Sequence, residues 1–167
     1  MHIRPERGAD TPGIRTVNLT AFETPTEADL VDVLREQAEP IVSLVADDDD
    51  AIVGHILFSP VMLTTHPGLR IMGLAPMAVV PARQRQGIGS ALIREGLEHC
   101  RRLGFGAVIV LGHAEYYPQF GFAPASRFGL GCEYDVPDEV FMALELYQGI
   151  LQGKSGTIRY HPAFATV

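Results

Sequence analysis

Two almost wholly apolar stretches of the chain flank a segment with helical periodicity. The stretches cover residues 73–81 and 107–111, and such runs are typical of strands buried on both faces. Between them, apolar residues recur every three or four positions from Ile88 to Leu103, which predicts an amphipathic helix. Two buried strands joined by one helix form a right-handed unit, so we expect these strands to be parallel. Pro76 lies inside the first stretch and predicts a bulge or a local break in strand pairing.

The rest of the chain predicts two more helices and several strands around this unit. Asp10 is expected to cap a helix that runs to Phe22, and Thr26 to cap a second helix that Pro40 stops. Further strands are predicted over residues 3–6, 41–46, 52–59, 141–146 and 157–160, and one helical turn over residues 116–120. No internal repeat or interdomain linker is evident, so residues 1–167 are expected to form one domain. The predicted fold class is α+β, with a mixed sheet.

Composition narrows the classes of function. The 167 residues are 47% hydrophobic and 20% charged, as in a globular domain, and the net charge of -7 argues against non-specific nucleic-acid binding. The longest apolar runs, residues 71–82 and 103–112, are shorter than the roughly 18 residues of a membrane span, and the amino terminus lacks a signal-peptide core. Two cysteines without metal-ligand spacing predict neither a disulfide scaffold nor a zinc site. We expect a cytoplasmic protein with no nucleic-acid, membrane or metal partner.

Charge is distributed unevenly along the chain. Most acidic residues lie before residue 51, whereas arginines gather between residues 83 and 102, where an anionic ligand would fit. Two solvated surfaces of different charge explain the same pattern. Residues 47–50 are consecutive aspartates, but they lack the alternating spacing and the distal glutamate of a calcium loop. They predict a solvated hairpin turn.

The segment between the first buried strand and its helix has the features of a phosphate-binding turn. This cradle segment is Gln84-Arg85-Gln86-Gly87-Ile88-Gly89-Ser90. The first turn of a helix offers unpaired N–H groups and a positive dipole end, and glycine lets an anion approach the backbone. Leu92 stands where a dinucleotide-binding fingerprint needs its third glycine, which disfavours a nucleotide-dependent oxidoreductase, and no Walker lysine is present. A glycine-rich turn without a ligand is the alternative.

Residues 74–92 resemble a motif of a known superfamily. The pattern Gln84-x-x-Gly87-x-Gly89 resembles the Gln/Arg-x-x-Gly-x-Gly/Ala motif of the GCN5-related N-acetyltransferase (GNAT) superfamily. A second segment, Tyr116-Tyr117-Pro118-Gln119-Phe120-Gly121-Phe122, resembles the Tyr-x-x-x-Gly-Phe segment of that superfamily, and the predicted element order agrees. The chain looks most like an uncharacterised bacterial group of predicted N-acetyltransferases, through residues 111–117 and the strand at 141–146. Many relatives have Gly where Arg85 stands, so Arg85 is expected to contribute its backbone or an added phosphate contact.

The resemblance implies a fold and a cosubstrate. The fold is a three-layer arrangement, in which helices flank a mixed, mostly antiparallel sheet whose central pair of parallel strands splays apart. Acetyl-CoA would lie in that split. Its pantetheine arm would pair with the backbone of Met77, Ala78 and Val79. Its pyrophosphate would contact the cradle segment, whose candidate binding residues are Gln84, Arg85, Gln86, Gly87, Ile88, Gly89 and Ser90.

The resemblance also implies N-acetyltransferase activity. Tyr117 has the family position of the acid that protonates the departing thiolate, whereas Tyr116 is interpreted as a packing aromatic. The acceptor would be a primary amine of a small molecule or peptide, with a homodimer as one option for assembly. The general base is left open, the candidates being His55, His113, Glu23, Glu115, Glu133 and a water relay. The acids near the expected acceptor wall are Glu23, Glu27 and Asp29, and they favour a cationic amine, such as a polyamine or a basic amino group on a small molecule.

A second class of function fits the same resemblance. A non-catalytic acyl-CoA-binding or regulatory module could use the same fold and the same cradle segment without transferring an acyl group. The presence of Tyr117 favours the enzyme, because such a module has no need of an acid beside the thioester.

Overall fold

A mixed sheet with helices on both faces organises residues 1–166, the part of the chain that this computed structural model describes. The strands are β1 (His2–Pro5), β2 (Val42–Asp48), β3 (Ala51–Leu63), β4 (Ile71–Val79), β5 (Ala107–Leu111), β6 (Ala123–Pro124), β7 (Leu130–Cys132), β8 (Phe141–Glu145) and β9 (Gly156–Arg159). The helices are α1 (Thr11–Ala21), α2 (Thr26–Gln37) and α3 (Ile88–Arg102). Within these described residues, no helix has the length and apolar character needed to cross a membrane.

The strands follow the order β1, β2, β3, β4, β5, β8, β6 across the sheet. Neighbours are antiparallel except β4 and β5, which are parallel and are connected through α3. The strands β7 and β9 form a second parallel pair, attached through β9 to the end of β3. The predicted fold class is therefore confirmed. The short strands β6 and β7 are missing from the sequence prediction, because two or three residues carry no measurable periodicity.

Alternating side chains of the sheet face two different layers of helix. On β2 and β3, Leu44 and Phe58 belong to the core that includes α3, whereas Val45 and Leu57 pack with α1 and α2. Gly96 allows α3 to approach the sheet closely, since a Cβ there would overlap the ring of Phe58. The result is a three-layer structure, with α3 on one face of the sheet and α1 and α2 on the other.

The two predicted helix caps have different outcomes, since Asp10 has the predicted cap position and Thr26 does not. Asp10 directly precedes α1 but makes no side-chain cap to it. Its carboxylate instead accepts hydrogen bonds from the Arg4 guanidinium at 2.7 and 3.0 Å and from the Arg7 N–H at 2.7 Å. The Arg4 hydrogen bonds, helped by Arg7, outweigh burial and lower the pKa of Asp10 to about 2. Thr26 is the first residue of α2, and Pro25 takes the cap position.

The run of aspartates forms the predicted hairpin turn. Asp49 and Asp50 connect β2 to β3 and have φ angles of 50° and 67°. A two-residue hairpin favours positive φ at both positions, and aspartate tolerates this conformation better than most residues. The neighbouring Asp48 accepts a hydrogen bond from the Arg83 guanidinium at 2.7 Å, which ties this turn to the loop before α3.

Candidate functional site

The two central parallel strands pair over only part of their length. Strand β4 pairs with β5 from Ile71 to Leu74, opposite Ala107 to Val110. Beyond Leu74, β4 continues to Val79 and keeps its antiparallel pairing with β3 on the other side. The two strands therefore part after Leu74. The last four residues of β4 at the split, Pro76 to Val79, have one backbone edge that faces away from β3.

A bulge coincides with this parting point. Ile56 of β3 is opposite Met77 and Phe58 is opposite Leu74, so Leu57 alone faces the two residues Ala75 and Pro76. The Ala75–Pro76 peptide bond is cis. The irregularity predicted from Pro76 is thus confirmed, and it lies at the base of the split.

The cradle segment presents unpaired backbone donors to the same split. Gly87 has a φ of 85° and directly precedes α3. The Ala91 N–H donates to the Gly87 carbonyl at 3.0 Å, so the N–H groups of Ile88, Gly89 and Ser90 precede the first backbone bond of the helix. Together with the helix dipole, these donors make the turn suited to an anion.

Side chains hold the cradle segment in place. The Gln84 amide donates to the Val79 carbonyl at 3.0 Å and thereby links the loop to the end of β4. Arg85 is exposed and has a φ of 62°, a conformation that favours glycine. A glycine would adopt this backbone geometry at position 85 without strain. Gln86 turns away, donating to the Ala82 carbonyl at 3.4 Å and accepting from Arg83 at 3.2 Å.

A cavity of about 480 Å³ lies between β4 and the cradle segment, and we call it the cradle cavity. Nine of the ten residues predicted to bind the cosubstrate line it, namely Met77, Ala78, Val79, Gln84, Arg85, Gly87, Ile88, Gly89 and Ser90. Gln86 is the exception, because its side chain bonds within the loop. The structure thus brings the two predicted binding segments together around one space.

The two adjacent tyrosines face different spaces. The Tyr116 hydroxyl lies 3.0 Å from Ser90 Oγ and lines the cradle cavity, so its interpretation as a packing aromatic is incomplete. The Tyr117 ring is buried, with edge contacts to Tyr116 at 5.2 Å and Phe122 at 5.7 Å between ring centroids. Burial, and to a lesser extent Tyr116, raises the pKa of Tyr117 to about 12. The phenol is therefore protonated at neutral pH.

Tyr117 lines a second, larger cavity of about 630 Å³, which we call the aromatic cavity. Its walls come from four parts of the chain: the α1–α2 region with Phe22, Glu27 and Leu30; residues 74–77 of β4; residues 111–113 after β5; and a carboxyl-terminal group of Tyr134, Val136, Tyr160, Phe164 and Ala165. The cradle cavity and the aromatic cavity share Phe22, Met77 and His113. The two cavities therefore adjoin at the split in the sheet.

The candidate bases are distributed very differently around this junction. His113 lines both cavities, and its carbonyl accepts the N–H groups of Tyr116 and Tyr117 at 3.1 and 3.3 Å. Glu23 and Glu115 are exposed and lie outside the lining of both cavities. Glu133 also lies outside it and accepts the Tyr160 N–H. Of the side chains proposed as bases from the sequence, His113 is the one at the junction.

His55 lies in a buried hydrogen-bond chain away from both cavities. Asn18 Nδ2 lies 3.3 Å from His55 Nδ1, and since an amide nitrogen only donates, Nδ1 is the acceptor. His55 Nε2 then donates to Ser43 Oγ at 2.9 Å, and Ser43 in turn bonds Glu6. Burial lowers the pKa of His55 to about 4, which keeps the ring neutral. This arrangement connects α1 with β2 and β3 and is structural.

Sequence reasoning missed most of the aromatic cavity. The lining residues that lie outside every segment singled out from the sequence are Phe22, Leu30, Tyr134, Val136, Tyr160, Phe164 and Ala165. The acidic region near Glu27 carried a partial signal, but Glu23 is exposed and Asp29 pairs with Arg15 at 2.9 Å. Only Glu27 of the three acids lines the cavity.

Comparison with known proteins gives consistent matches along the chain. Residues 12–122 match the sequence model described as "Acetyltransferase (GNAT) family". The "Uncharacterized N-acetyltransferase YhbS" of Escherichia coli (strain K12) is 36% identical over 165 residues, covering 98% of each chain. A crystal structure of the GNAT family N-acetyltransferase YhbS from Escherichia coli in complex with CoA is similar with a TM-score of 0.92 and 35% identity, over 98% of this chain and 91% of that one. A GNAT family acetyltransferase from Brucella melitensis in complex with acetyl-CoA has a TM-score of 0.80 and 36% identity, over 98% and 97%.

Proposed function

Because this chain belongs to the acetyltransferase (GNAT) family, we propose that it transfers the acetyl group of acetyl-CoA to a primary amine by direct attack in a ternary complex. The observation that carries this proposal is the junction of the two cavities at the split between β4 and β5. One cavity has a phosphate-binding turn in its wall, and the other is large enough for a small-molecule acceptor. The thioester and the amine would meet where the cavities share Met77 and His113.

Acetyl-CoA fits the cradle cavity on the residues that line it. The pyrophosphate would accept hydrogen bonds from the N–H groups at the start of α3. Gly87 leaves room for the pyrophosphate, since no heavy atom lies within 4 Å of the position that a Cβ of residue 87 would have. The pantetheine arm would lie along the edge of Met77, Ala78 and Val79 that faces away from β3. Tyr116 and Ser90 would add hydroxyl groups to this wall. The two solved relatives, which were crystallised with CoA or acetyl-CoA, support this placement.

Attack requires a neutral amine, so a base must take a proton from the ammonium form. We assign this role to His113, because it is the side chain among the candidate bases that lines both cavities. The amine nitrogen then bonds to the thioester carbon, and negative charge develops on the carbonyl oxygen. Backbone N–H groups of β4 at the split are the donors proposed to stabilise that charge. Collapse of the tetrahedral intermediate breaks the C–S bond and releases the CoA thiolate, and the attacking nitrogen loses its second proton to solvent, which leaves the neutral amide.

Tyr117 is proposed to donate to the departing sulfur. Its pKa of about 12 keeps the hydroxyl protonated throughout the neutral range. A thiol has a reference pKa of about 8.5, so full proton transfer from this phenol is uphill. The main effect is therefore a hydrogen bond that strengthens as negative charge grows on sulfur. The thiolate takes a proton from solvent once CoA is released.

The test is a thiol-release assay with the purified protein, acetyl-CoA and a panel of primary amines, together with calorimetry of CoA binding. Amine-dependent release of CoA, with a matching acetylated product by mass spectrometry, is the expected result. CoA binding without release by any amine would instead identify a non-catalytic acyl-CoA-binding module. Binding of NAD in place of CoA would point to an oxidoreductase and contradict the proposal.

A further inference from the structure

The walls of the aromatic cavity suit an apolar molecule that carries an aromatic ring. Tyr160 lies between Tyr134 and Phe164, with ring centroids 5.7 and 5.2 Å apart. Val136 and Leu30 add aliphatic surface to the lining. Rings of this kind bind another ring through offset or edge contacts. At about 630 Å³, the space has the size of a small-molecule site.

Glu27 places a single carboxylate in this apolar lining. It is the one Asp or Glu among the residues that line the cavity, within the described part of the chain. Its Oε2 is buried and has no hydrogen-bond partner among residues 1–166, and the same is true of the Tyr160 hydroxyl. Burying a carboxylate oxygen without a partner is costly, so a ligand that donates a hydrogen bond to this atom would be favoured.

The acids around Glu27 are already engaged or lie elsewhere. Asp29 and Asp32 both pair with Arg15, at 2.9 and 2.7 Å. Glu23 is exposed and lies outside the lining. Glu27 has no such ion pair to a side chain in the described residues. Of these four acids, Glu27 is thus the one that brings a negative charge into the aromatic cavity.

We propose that the acceptor is a singly charged primary amine on an aromatic or branched apolar body, with Glu27 binding its ammonium group in the aromatic cavity. This inference rests on the proposed acetyltransferase function. One carboxylate matches one cation, and the aromatic walls match the body of the molecule. A polyamine, one of the two kinds of amine that the acidic sequence suggested, would place further ammonium groups against apolar walls without carboxylates. Glu27 would therefore select among amines before proton removal at His113.

The first test compares acceptors and one charge-removing variant. The probes are 2-phenylethylamine, spermidine and the uncharged 2-phenylethanol, with acetyl-CoA and thiol release as the readout and with calorimetry in the presence of CoA. We expect kcat/KM for 2-phenylethylamine to exceed that for spermidine by at least about tenfold. Glu27→Gln should lower this kcat/KM by about 10- to 100-fold, the size of a lost charged hydrogen bond. The affinity of Glu27→Gln for CoA should equal that of the wild-type protein. The inhibition of 2-phenylethylamine acetylation by 2-phenylethanol should also be unchanged, because the alcohol carries no charge.

Glu23→Gln is the matched control, because Glu23 is an exposed acid of the same segment and should leave all these values unchanged. A second variant, Val136→Phe, narrows the cavity from a loop and does not remove a charge. It should reduce transfer to 2-phenylethylamine by about tenfold or more and spare transfer to ethylamine, as overpacking of a filled pocket predicts. This steric test remains decisive if Glu27→Gln alters the helix start.

The outcomes separate the two proposals. If spermidine is the better acceptor, or if Glu27→Gln behaves like Glu23→Gln, the acceptor assignment is wrong and the transferase proposal stands. If no amine releases CoA although CoA binds, the transferase proposal fails and takes the acceptor assignment with it. Binding of 2-phenylethylamine that depends on Glu27, followed by its acetylation, supports both.

Discussion

The ring of Tyr117 lies directly over the backbone of Gly112, so close that a Cβ at position 112 would overlap the ring carbons. Gly112 follows β5, and its N–H donates to the Val140 carbonyl at 2.9 Å, which fixes this backbone. The end of the strand therefore sets where the tyrosine ring can lie. This contact couples the geometry of the sheet to the proposed donor at the thioester.

Gly112→Ala should lower kcat because the added methyl group forces the Tyr117 ring out of its place. Displacing a reacting group by about 1 Å costs as much as 100-fold in rate, so we expect a fall of roughly 10- to 100-fold. CoA affinity should change little, since Gly112 lies outside the cradle cavity. Steady-state kinetics and calorimetry measure the two effects. Gly131→Ala is the control, because nothing lies within 4 Å of its Cβ position.

Tyr117→Phe should lower kcat by roughly 100-fold, the size of one hydrogen bond lost from the transition state, because the hydroxyl is removed while the ring stays. The deficit should be constant from neutral pH to about pH 10, since the pKa of Tyr117 is about 12. CoA affinity should be unchanged by calorimetry. A basic limb in the wild-type profile below pH 10 would then belong to another group.

The control for this hydroxyl is Tyr147→Phe. The Tyr147 hydroxyl donates to the Arg101 carbonyl on an exposed part of the molecule, so its loss should leave kcat unchanged. Tyr116→Phe is unsuitable as a neutral control, because that hydroxyl contacts Ser90 in the cradle cavity. Full kcat in Tyr117→Phe, with chemistry rate-limiting, would contradict the assignment.

Gly89→Val tests the cradle segment. Gly89 lies in the first turn of α3, and its Cβ position meets only the ends of Met77 and Tyr116 side chains, at 3.4 Å. A branched side chain should thus be accommodated by the protein yet block an anion at the backbone. We expect CoA affinity to fall at least about tenfold, or about 1.4 kcal/mol, by calorimetry.

Gly131→Val is the matched substitution outside the site, on β7 and with open space around its Cβ position. It should leave CoA affinity at the wild-type value. Circular dichroism of both variants establishes whether they are folded. Unchanged affinity in a folded Gly89→Val protein would show that the pyrophosphate does not bind at the start of α3.

The parts of the fold that depend on local sequence could be predicted. Strands β4 and β5 are continuous apolar runs with a helix between them, and the cradle segment is one contiguous motif. The strand pair and the cradle segment could therefore be predicted from residues that are neighbours in the sequence. The bulge at Pro76 was accessible too, because proline removes a backbone donor wherever it stands. These features need no knowledge of distant contacts.

Tertiary contacts decided what the sequence could not predict. Asp10 is a good helix cap by type, but Arg4, from the preceding strand, engages its carboxylate. Glu27 and Tyr160 are more than a hundred residues apart in sequence, yet both line the aromatic cavity. Neither residue belongs to a motif, and packing between α2 and the carboxyl-terminal segment alone places them together.

The buried chain around His55 makes stability depend on pH. The folded protein holds the pKa of His55 at about 4, below its ordinary value of 6.5, because burial disfavours the charged ring. Glu6, whose coulombic effect opposes this shift, and Arg35, whose effect adds to it, are the charged groups near the ring. The unfolded chain therefore binds a proton first as pH falls, and the folded state loses stability from about pH 6.5 down to about pH 4.

Between pH 7.5 and pH 5, this linkage should lower the free energy of unfolding by about 2 kcal/mol, measured by urea denaturation. The contribution of Asp10 to stability is lost only as the pH falls below 3.8, the ordinary pKa of its carboxyl group, towards the folded-state pKa of about 2. Asp10 therefore does not account for a loss of stability between pH 7.5 and pH 5. His55→Gln keeps a side chain that can donate and accept but cannot titrate. This variant should be less stable at pH 7.5 yet nearly independent of pH down to pH 5. If the free energy of unfolding of this variant fell with pH as steeply as that of the wild-type protein, the pH dependence would belong to another group. The pKa of His55 in the folded protein would then be close to its ordinary value.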